Sequence, residues 1–252
     1  KSELPLIKKT DKFNTYLKPI LVTRYSPNNS KNISNQDLRL TYDNIFSLNR
    51  ISSKRNIEEG GSISLGIEYD IDDKHNNKIL NFKIANSISD KRKSNLPTKS
   101  KLNEKRSDIV GKLDFQVTQI LDINYNFSYD RDLKNSNYQS VSTNFDFNNF
   151  RTAFSYLSED NEIGNTETVS NTSSYSFNEE NKISFDATKN LKTDFTEYYN
   201  LSYQYQTDCL IASVKYTKKF YKDNSIIPDK SLLFYIRFIP FAELRPQATD
   251  FK

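Results

Sequence analysis

The residues that could do chemistry in this 252-residue chain are few and lie far apart. It has one histidine, His75, close to Asp72 and Asp73, and one cysteine, Cys209. A single histidine cannot supply the several imidazole ligands of a typical zinc site, and no serine or cysteine adjoins it as a nucleophile. With five glycines the chain also has no glycine-rich phosphate loop. We therefore expect no enzymatic activity, no metal and no cofactor.

Adjacent carboxylates are the next candidates for acid–base chemistry. They occur as the pairs Glu58/Glu59, Asp72/Asp73 and Glu179/Glu180. Carboxylates that work as an acid–base pair face one another across a cleft, which adjacent residues do not. All three pairs fall in predicted loops or turns, so we interpret them as solvated.

Basic residues are concentrated in one segment, residues 91–106, which has a single acidic residue, Glu104. One interpretation is a loop that meets anionic lipid head groups, with the candidate contacts Lys91, Arg92, Lys93, Lys105 and Arg106. The alternative is a solvated loop that protects a sheet edge from aggregation. Nucleic-acid binding is not expected, because no recognition fold accompanies the charge.

The elements that must position these residues show a strict alternation of apolar and polar side chains. In residues 121–129, LDINYNFSY, the alternation predicts a β-strand with one apolar face, and about ten residues is the length of a tilted strand that crosses a bilayer. The pattern predicts strands near 13–25, 62–71, 78–88, 108–118, 121–130, 137–147, 150–158, 166–177, 181–190, 197–206, 209–220 and 231–241.

The two faces of these strands differ in chemistry. One face carries side chains such as Ile63, Leu65 and Ile67, and in the last strand Leu232, Phe234, Ile236 and Phe238. The other face carries polar side chains such as Asp122, Asn124, Asn126 and Ser128. The first face is predicted to meet lipid and the second to line a polar lumen.

The connections between the predicted strands alternate between long and short. The longest are residues 26–61 and 89–107, and the short ones lie near 72–77, 119–120, 148–149, 178–180 and 207–208. Outer-membrane barrels have long external loops and tight periplasmic turns, whereas Greek-key sandwiches have no reason to sort their connections this way. We predict an all-β, antiparallel transmembrane β-barrel meander of about 12 strands, as a single domain over residues 1–252. A soluble, adhesin-like β protein is the alternative fold.

The composition agrees with a barrel. Hydrophobic residues make up 35% of the chain, yet it contains 16 Tyr and 17 Phe. So many aromatic residues argue against disorder, and a polar lumen explains the low hydrophobic fraction. No apolar run reaches the length of about 18 residues that a transmembrane helix needs.

One stretch resembles the LptD family of outer-membrane lipopolysaccharide-assembly proteins, also called organic solvent tolerance proteins. That family carries a segment of the form YDxLFxxNRFSGxDR, followed by a strand containing SLG. The matching residues here are Tyr42, Asp43, Phe46, Asn49, Arg50 and Ser52, and the sequence SLG occupies residues 64–66.

A second stretch, residues 201–209, is similar to the family's YxxxCC hairpin. Asp208 occupies the position of the first cysteine and Cys209 that of the second. The resemblance therefore implies a single disulfide from Cys209 to a cysteine outside this sequence. The segment 231–241 resembles the strand that closes the family's barrel and forms one side of its lateral gate.

The resemblance implies that the chain is about the C-terminal half of a larger barrel in the outer membrane of a Gram-negative bacterium. The implied function is insertion of lipopolysaccharide into the outer leaflet through the lumen and a lateral gate. The implied partners are lipopolysaccharide, outer-membrane lipid, a lipoprotein plug like LptE, and a periplasmic bridge protein that an upstream domain would contact. The alternative function is that of a general diffusion porin or another passive channel.

Overall fold

The computed structural model describes residues 1–27, 31–51, 57–160, 165–220, 229–239, 242–244 and 249–250. Its strands are β1 (Ser2–Glu3), β2 (Leu6–Lys9), β3 (Phe13–Ser26), β4 (Gly60–Asp73), β5 (Lys78–Ser89), β6 (Ile109–Thr118), β7 (Leu121–Tyr129), β8 (Ser136–Phe147), β9 (Phe150–Glu159), β10 (Thr166–Ser176), β11 (Asn181–Asn190), β12 (Phe195–Gln206), β13 (Leu210–Lys219), β14 (Lys230–Phe238), β15 (Ala242–Leu244) and β16 (Thr249–Asp250).

The architecture is an all-β antiparallel meander in which the long strands follow one another in chain order. Helical structure is limited to α1 (Tyr42–Ile45) and one 3₁₀ turn (Lys99–Lys101) in the described part of the chain. No helix among these residues is long and apolar enough to cross a membrane. The predicted fold class is confirmed, and each of the predicted strands coincides with one of the long strands β3 to β14.

The first of two compact units contains Lys1–Val141 and Ser158–Asn165. Its sheet pairs β3 with β4, β4 with β5, β5 with β6 and β6 with β7, and β1 and β2 both pair with β3. On one face the register brings apolar residues together, as in the row Leu17, Tyr69, Phe82, Leu113 and Tyr125. This face stays largely open: Leu65 is 51% exposed and Ile67 is 44% exposed.

The opposite face of this sheet is built from small residues at one end and charged residues at the other. One row contains Ile20, Gly66, Ala85, Val110 and Ser128, and the next contains Val22, Ser64 and Ser87. The charged rows include Lys18, Glu68, Lys83 and Lys112. Because strand side chains alternate between faces, the small residues leave room for other segments on this side only.

The second unit contains Ser142–Leu157 and Thr166–Lys252. Strands β10 to β14 pair antiparallel in sequence order. Their apolar face repeats the pattern of the first unit in the rows Phe185, Leu201, Tyr216, Leu232 and Ile183, Tyr203, Val214, Phe234. Phe185, Leu201 and Phe234 are between 41% and 50% exposed. The apolar face is therefore a property of both units.

Candidate functional site

The two longest connections fold onto the small-residue end of the polar face in the first unit. We call this layer the loop cap, defined as residues 31–51, 57–59 and 90–108. Its apolar side chains form a buried cluster against Ala85 and Val110 of the sheet; the members from the loops are Ile33, Leu40, Tyr42, Ile45, Ile51, Leu96 and Leu102. The loops thus bring a hydrophobic core to the face that the alternation predicts to be polar.

Helix α1 contains Tyr42 and Asp43, the first two matching residues of the family-like segment. At its start the Thr41 backbone N–H donates to Asn44 Oδ1 at 2.9 Å, and Asn44 Nδ2 donates to the carbonyl oxygen of Arg39 at 2.9 Å. These bonds satisfy polar groups at a helix end. The buried Tyr42 points its hydroxyl at the sheet and donates to Glu68 Oε1 at 2.9 Å. Burial and the Glu68 carboxylate raise the pKa of Tyr42, so the hydroxyl stays protonated as a donor.

Phe46 extends the contact between loop cap and sheet. A Cβ atom at Gly66 would overlap Phe46 Cζ and would lie 3.0 Å from the carbonyl oxygen of Ile84. The aromatic ring therefore occupies space that only glycine leaves open. Tyr42 packs edge-on against the same ring, with the centroids 5.4 Å apart. Tyr42, Phe46 and Gly66, which resemble family positions, thus form one packed group.

Glu58 is the electrostatic centre of the loop cap. Its side chain is fully buried, and its Oε1 atom lies 2.7 Å from Arg24 Nη2, 2.5 Å from Arg50 Nη2 and 3.0 Å from Lys93 Nζ. Arg50 Nε also donates to Oε2 at 2.9 Å. The cluster thus joins three segments. They are β3 with Arg24, the first long connection with Arg50 and Glu58, and the second long connection with Lys93. A buried charge is tolerated only when it is paired and hydrogen-bonded, and all of these side chains are at most 5% exposed.

The surrounding cations determine the ionisation of Glu58. Burial acts to raise its pKa, but the Arg50 hydrogen bond and the charges of Arg50, Arg24 and Lys93 outweigh burial and lower the pKa from 4.5 to about 2. The carboxylate is therefore charged at neutral pH. Three cations around one carboxylate leave a buried excess of positive charge.

Serine hydroxyls connect this cluster to the sheet. Arg50 Nη1 donates to Ser87 Oγ at 2.5 Å, and Ser64 Oγ lies 3.1 Å from Ser87 Oγ and 3.2 Å from the carbonyl oxygen of Ile45. Arg24 Nε donates to Ser62 Oγ at 3.3 Å. The serines of β4 and β5 thus provide short polar partners that larger side chains could not provide in the same space.

The last residue of the loop cap, Asp108, has the second buried carboxylate. Asp108 is 0% exposed and accepts hydrogen bonds from Ser128 Oγ at 3.0 Å and Asn137 Nδ2 at 2.7 Å. Lys101 Nζ lies 3.7 Å from its other oxygen, Oδ1. Asp108 therefore ties the last residue of the connection to β7 and β8.

The predicted site residues are divided between this cluster and the surface. Arg50 of the family-like segment and Lys93 of the basic segment meet at Glu58, whereas Asp43 is exposed and Asn49 is half-buried. Lys91 pairs with Glu59 at 2.9 Å. Ser52 lies outside the described residues.

The expectation that Glu58 is solvated was wrong. Its side chain is 0% exposed, because residues from three segments that are distant in sequence close around it. The available signal was the family-like arginine eight residues upstream of an acidic residue, but sequence alone does not show which cations reach it.

Below the loop cap the polar face stays open and charged. A cavity of about 270 Å³ is lined there by side chains that include Asn81, Lys83, Asp114, Asp122 and Asn124. Lys18 pairs with Glu68, and Lys112 Nζ lies 3.3 Å from Asp114 Oδ2. Such a surface offers many donors and acceptors to a hydroxyl-rich ligand.

The remaining predicted residues lie in the second unit. Leu232, Phe234, Ile236 and Phe238 share the apolar face of β14, whose residues also pair with the short strands β15 and β16. Cys209 precedes β13, is exposed, and lies 3.8 Å from Thr207 Oγ1 through its sulfur. As the chain's one cysteine it can form no disulfide within this chain.

Comparison with known proteins gives one family. The model of the LptD family, described as LPS transport system D, matches residues 1–183. The match includes the loop cap and the strands from β1 to β10, and the hairpin around Cys209 lies beyond it. No curated protein matches the chain.

Proposed function

The chain belongs to the LptD family and is an outer-membrane protein with a role in lipopolysaccharide transport and assembly, and on this basis we propose that it forms part of the conduit that inserts lipopolysaccharide into the outer leaflet. The sugars of the glycolipid move along the polar face, and its acyl chains stay in the apolar surroundings. The protein makes or breaks no covalent bond in this process.

The observation that carries the proposal is the separation of the two faces in the first unit. Rows such as Leu17, Tyr69 and Phe82 form a continuous apolar surface, while Lys18, Glu68 and Lys83 stand on the reverse. A phosphorylated glycolipid needs both environments, because its acyl chains are excluded from water and its sugars need hydrogen-bond partners. The loop cap covers one end of the polar face and is, in our proposal, the gate over that end.

The proposal includes the partners that the resemblance implies. The polar face below the loop cap would contact lipopolysaccharide or a lipoprotein plug like LptE. The β14 residues Leu232, Phe234, Ile236 and Phe238 would form one side of a lateral gate. Opening such a seam leaves unpaired backbone groups in lipid, which is unfavourable, so the open state is brief. Cys209 would bond to a cysteine outside this sequence.

Site-specific photo-crosslinking in living cells tests the conduit. A photoreactive residue replaces Asn124 or Asn126 on the polar face of β7, and Tyr125 or Phe127 on its apolar face as a matched control. We expect Asn124 and Asn126 to crosslink to the sugar portion of lipopolysaccharide, only while lipopolysaccharide supply from the periplasm is intact. Two results would favour the passive channel. One is equal crosslinking on both faces. The other is no crosslinking at the polar positions together with ion conduction by the reconstituted protein.

A further inference from the structure

A second charged site lies at the loop cap and shares no side chain with the Glu58 cluster. A cavity of about 600 Å³ is lined by five cationic side chains, Arg92, Lys101, Lys105, Arg106 and Arg131, and by one carboxylate, Glu104. We call it the basic pocket. It takes four cations from the second long connection and the fifth from the turn after β7.

Most of the positive charge in the basic pocket is uncompensated. Arg92 Nε lies 2.7 Å from Glu104 Oε2, and Lys101 Nζ is 3.7 Å from the buried Asp108. Lys105, Arg106 and Arg131 are exposed and form no ion pair with any residue that the structure describes. Asp130, beside Arg131, is engaged by its own turn, since it accepts from the Lys134 backbone N–H at 3.0 Å and from Asn135 Nδ2 at 2.7 Å.

The backbone that carries Lys105 and Arg106 is fixed to the sheet. The Ser89 N–H donates to the carbonyl oxygen of Lys105 at 2.7 Å, and the Ser107 N–H donates to that of Ser87 at 2.9 Å. Arg106, between them, forms an isolated bridge with Ile88. A cationic site held by a rigid backbone loses less conformational entropy when it binds an anion. This arrangement differs from a freely solvated basic loop.

The basic pocket begins where the apolar face ends. Ile109 and Tyr129 form the last pair of β6 and β7 on that face. Arg106 lies three residues before Ile109 and Arg131 two residues after Tyr129. Tyrosine at the end of a membrane strand is typical of the lipid–water interface, which is also the level of lipid phosphates. The position therefore matches a charged head group rather than a sugar or an acyl chain.

We propose that the basic pocket binds the phosphoryl groups of phosphorylated glycolipid in the outer leaflet. Arginine binds phosphate through paired N–H donors and lysine binds it as a point charge. The proposal rests on the proposed function, because it assigns the head-group contact for the same class of glycolipid. The sugars and the polar face are not involved in this contact.

The test uses the full-length protein in nanodiscs and the triple variant Lys105→Gln, Arg106→Gln, Arg131→Gln. These three side chains are exposed and unpaired, so the substitution leaves the packing intact. The matched control is Lys8→Gln, Lys12→Gln, Lys74→Gln, which removes the same charge from exposed positions near the turns before β3 and after β4. Native mass spectrometry counts the bound lipid for three probes: a bis-phosphorylated glycolipid, its enzymatically dephosphorylated form, and inorganic phosphate.

We expect the triple variant to bind the phosphorylated glycolipid about tenfold more weakly than wild type, as the loss of charge-assisted bonds implies, and the control to bind like wild type. The dephosphorylated form should not distinguish the variants, and high salt should weaken wild-type and control binding more than binding by the triple variant, which keeps Arg92 and Lys101. Equal binding by all three proteins would overturn the proposal in favour of a solvated loop. Binding of inorganic phosphate without phosphate-dependent glycolipid binding would show an anion site unrelated to lipid.

A separate measurement distinguishes this inference from the proposed function. Surface lipopolysaccharide is measured in cells whose only copy of the full-length protein is wild type or the triple variant. If the wild-type protein does not restore surface lipopolysaccharide, the proposed function fails, whatever the basic pocket binds. The pocket inference alone fails under a different result. In that case the wild-type protein and the triple variant both restore surface lipopolysaccharide, and the triple variant binds the phosphorylated glycolipid with wild-type affinity.

Discussion

Glu58 is the shared ion-pair partner of three buried cations, and this makes its substitution costly. Removing one member of a buried ionic group leaves the others uncompensated, which usually destabilises by about 3–5 kcal/mol. We expect Glu58→Gln to lower the free energy of opening of the loop cap by about 3 kcal/mol. This corresponds to a roughly hundredfold decrease in the protection of its amides from hydrogen exchange. Hydrogen exchange of peptides covering residues 90–108 measures this.

The matched control is Glu59→Gln, one residue away. Glu59 pairs with Lys91, and their side chains are 18% and 59% exposed; an ion pair with one exposed partner contributes about 1 kcal/mol or less. If Glu58→Gln and Glu59→Gln reduced protection equally, the Glu58 cluster would not be what holds the loop cap closed.

The pH dependence of the loop cap follows from the same carboxylate. Since the pKa of Glu58 is lowered from 4.5 to about 2 in the folded protein, its stabilisation is complete above the unfolded pKa and is lost as the pH falls toward 2. The shift corresponds to about 3 kcal/mol. We expect exchange protection of residues 90–108 to be constant at neutral pH and to fall between pH 4.5 and 2. In Glu58→Gln this fall should be smaller, because Asp37 and Asp90, whose pKa values are also lowered, still contribute to it; a fall as large as in wild type would assign the transition to another group.

At the scale of elements, the opposite faces of β7 predict opposite responses to a charge. Phe127 lies on the apolar face between the rings of Tyr125 and Tyr129, at centroid distances of 5.3 and 5.6 Å, whereas Asn126 pairs with Lys112 on the polar face. We expect Phe127→Arg to reduce the free energy of unfolding more than Asn126→Arg does. The loss should stay below the value of about 2–4 kcal/mol for an arginine at the bilayer midplane, because Phe127 lies two residues from Tyr129 at the interface. Urea titration in lipid vesicles measures both variants, and equal losses would contradict the assigned faces.

The strands were predictable from sequence because their alternation is local. The long strands β3 to β14 begin and end within three residues of the expected positions, since a period of two needs only neighbouring residues to be read. The short strands β1, β2, β15 and β16 were not predicted, because two to four residues carry no detectable period.

The loop cap was not predictable in the same way. Tyr42, Phe46 and Arg50 were identified through a family resemblance, but their partners Glu68, Gly66 and Glu58 are defined by tertiary contacts. Lys93 looked like one more surface cation of a basic segment, and only the folded chain shows that it is buried. Residue types in a loop indicate charge, while burial depends on what folds over them.

At the scale of the whole molecule, family membership and structure support different parts of the function. The match over residues 1–183 places the chain in a family of lipopolysaccharide transport, and the two faces of the meander support the route that we propose. The hairpin with Cys209 lies beyond that match and joins β12 to β13, so its role rests on the sequence resemblance.

Cys209 provides a test of how this chain connects to the rest of its assembly. We expect it to be disulfide-bonded to a cysteine outside this sequence, because an exposed thiol in an oxidising compartment is rarely left free. On a non-reducing gel of the full-length protein from outer membranes, Cys209→Ser should migrate differently from wild type, and reduction should abolish the difference. Identical migration without reductant would refute the bond, and Thr207→Ser, which keeps the thiol, is the control.

The packing of Phe46 on Gly66 has a consequence for how the strands find their register. A slip of β4 by two residues, about 6.6 Å along the strand, keeps every side chain on its original face, so the apolar–polar alternation does not penalise it. The same slip would place Glu68 or Ser64 under Phe46 and move Ser62 away from Arg24. The loop residues therefore pack well only on strands that have paired in the native register, and this packing stabilises that register over the shifted one.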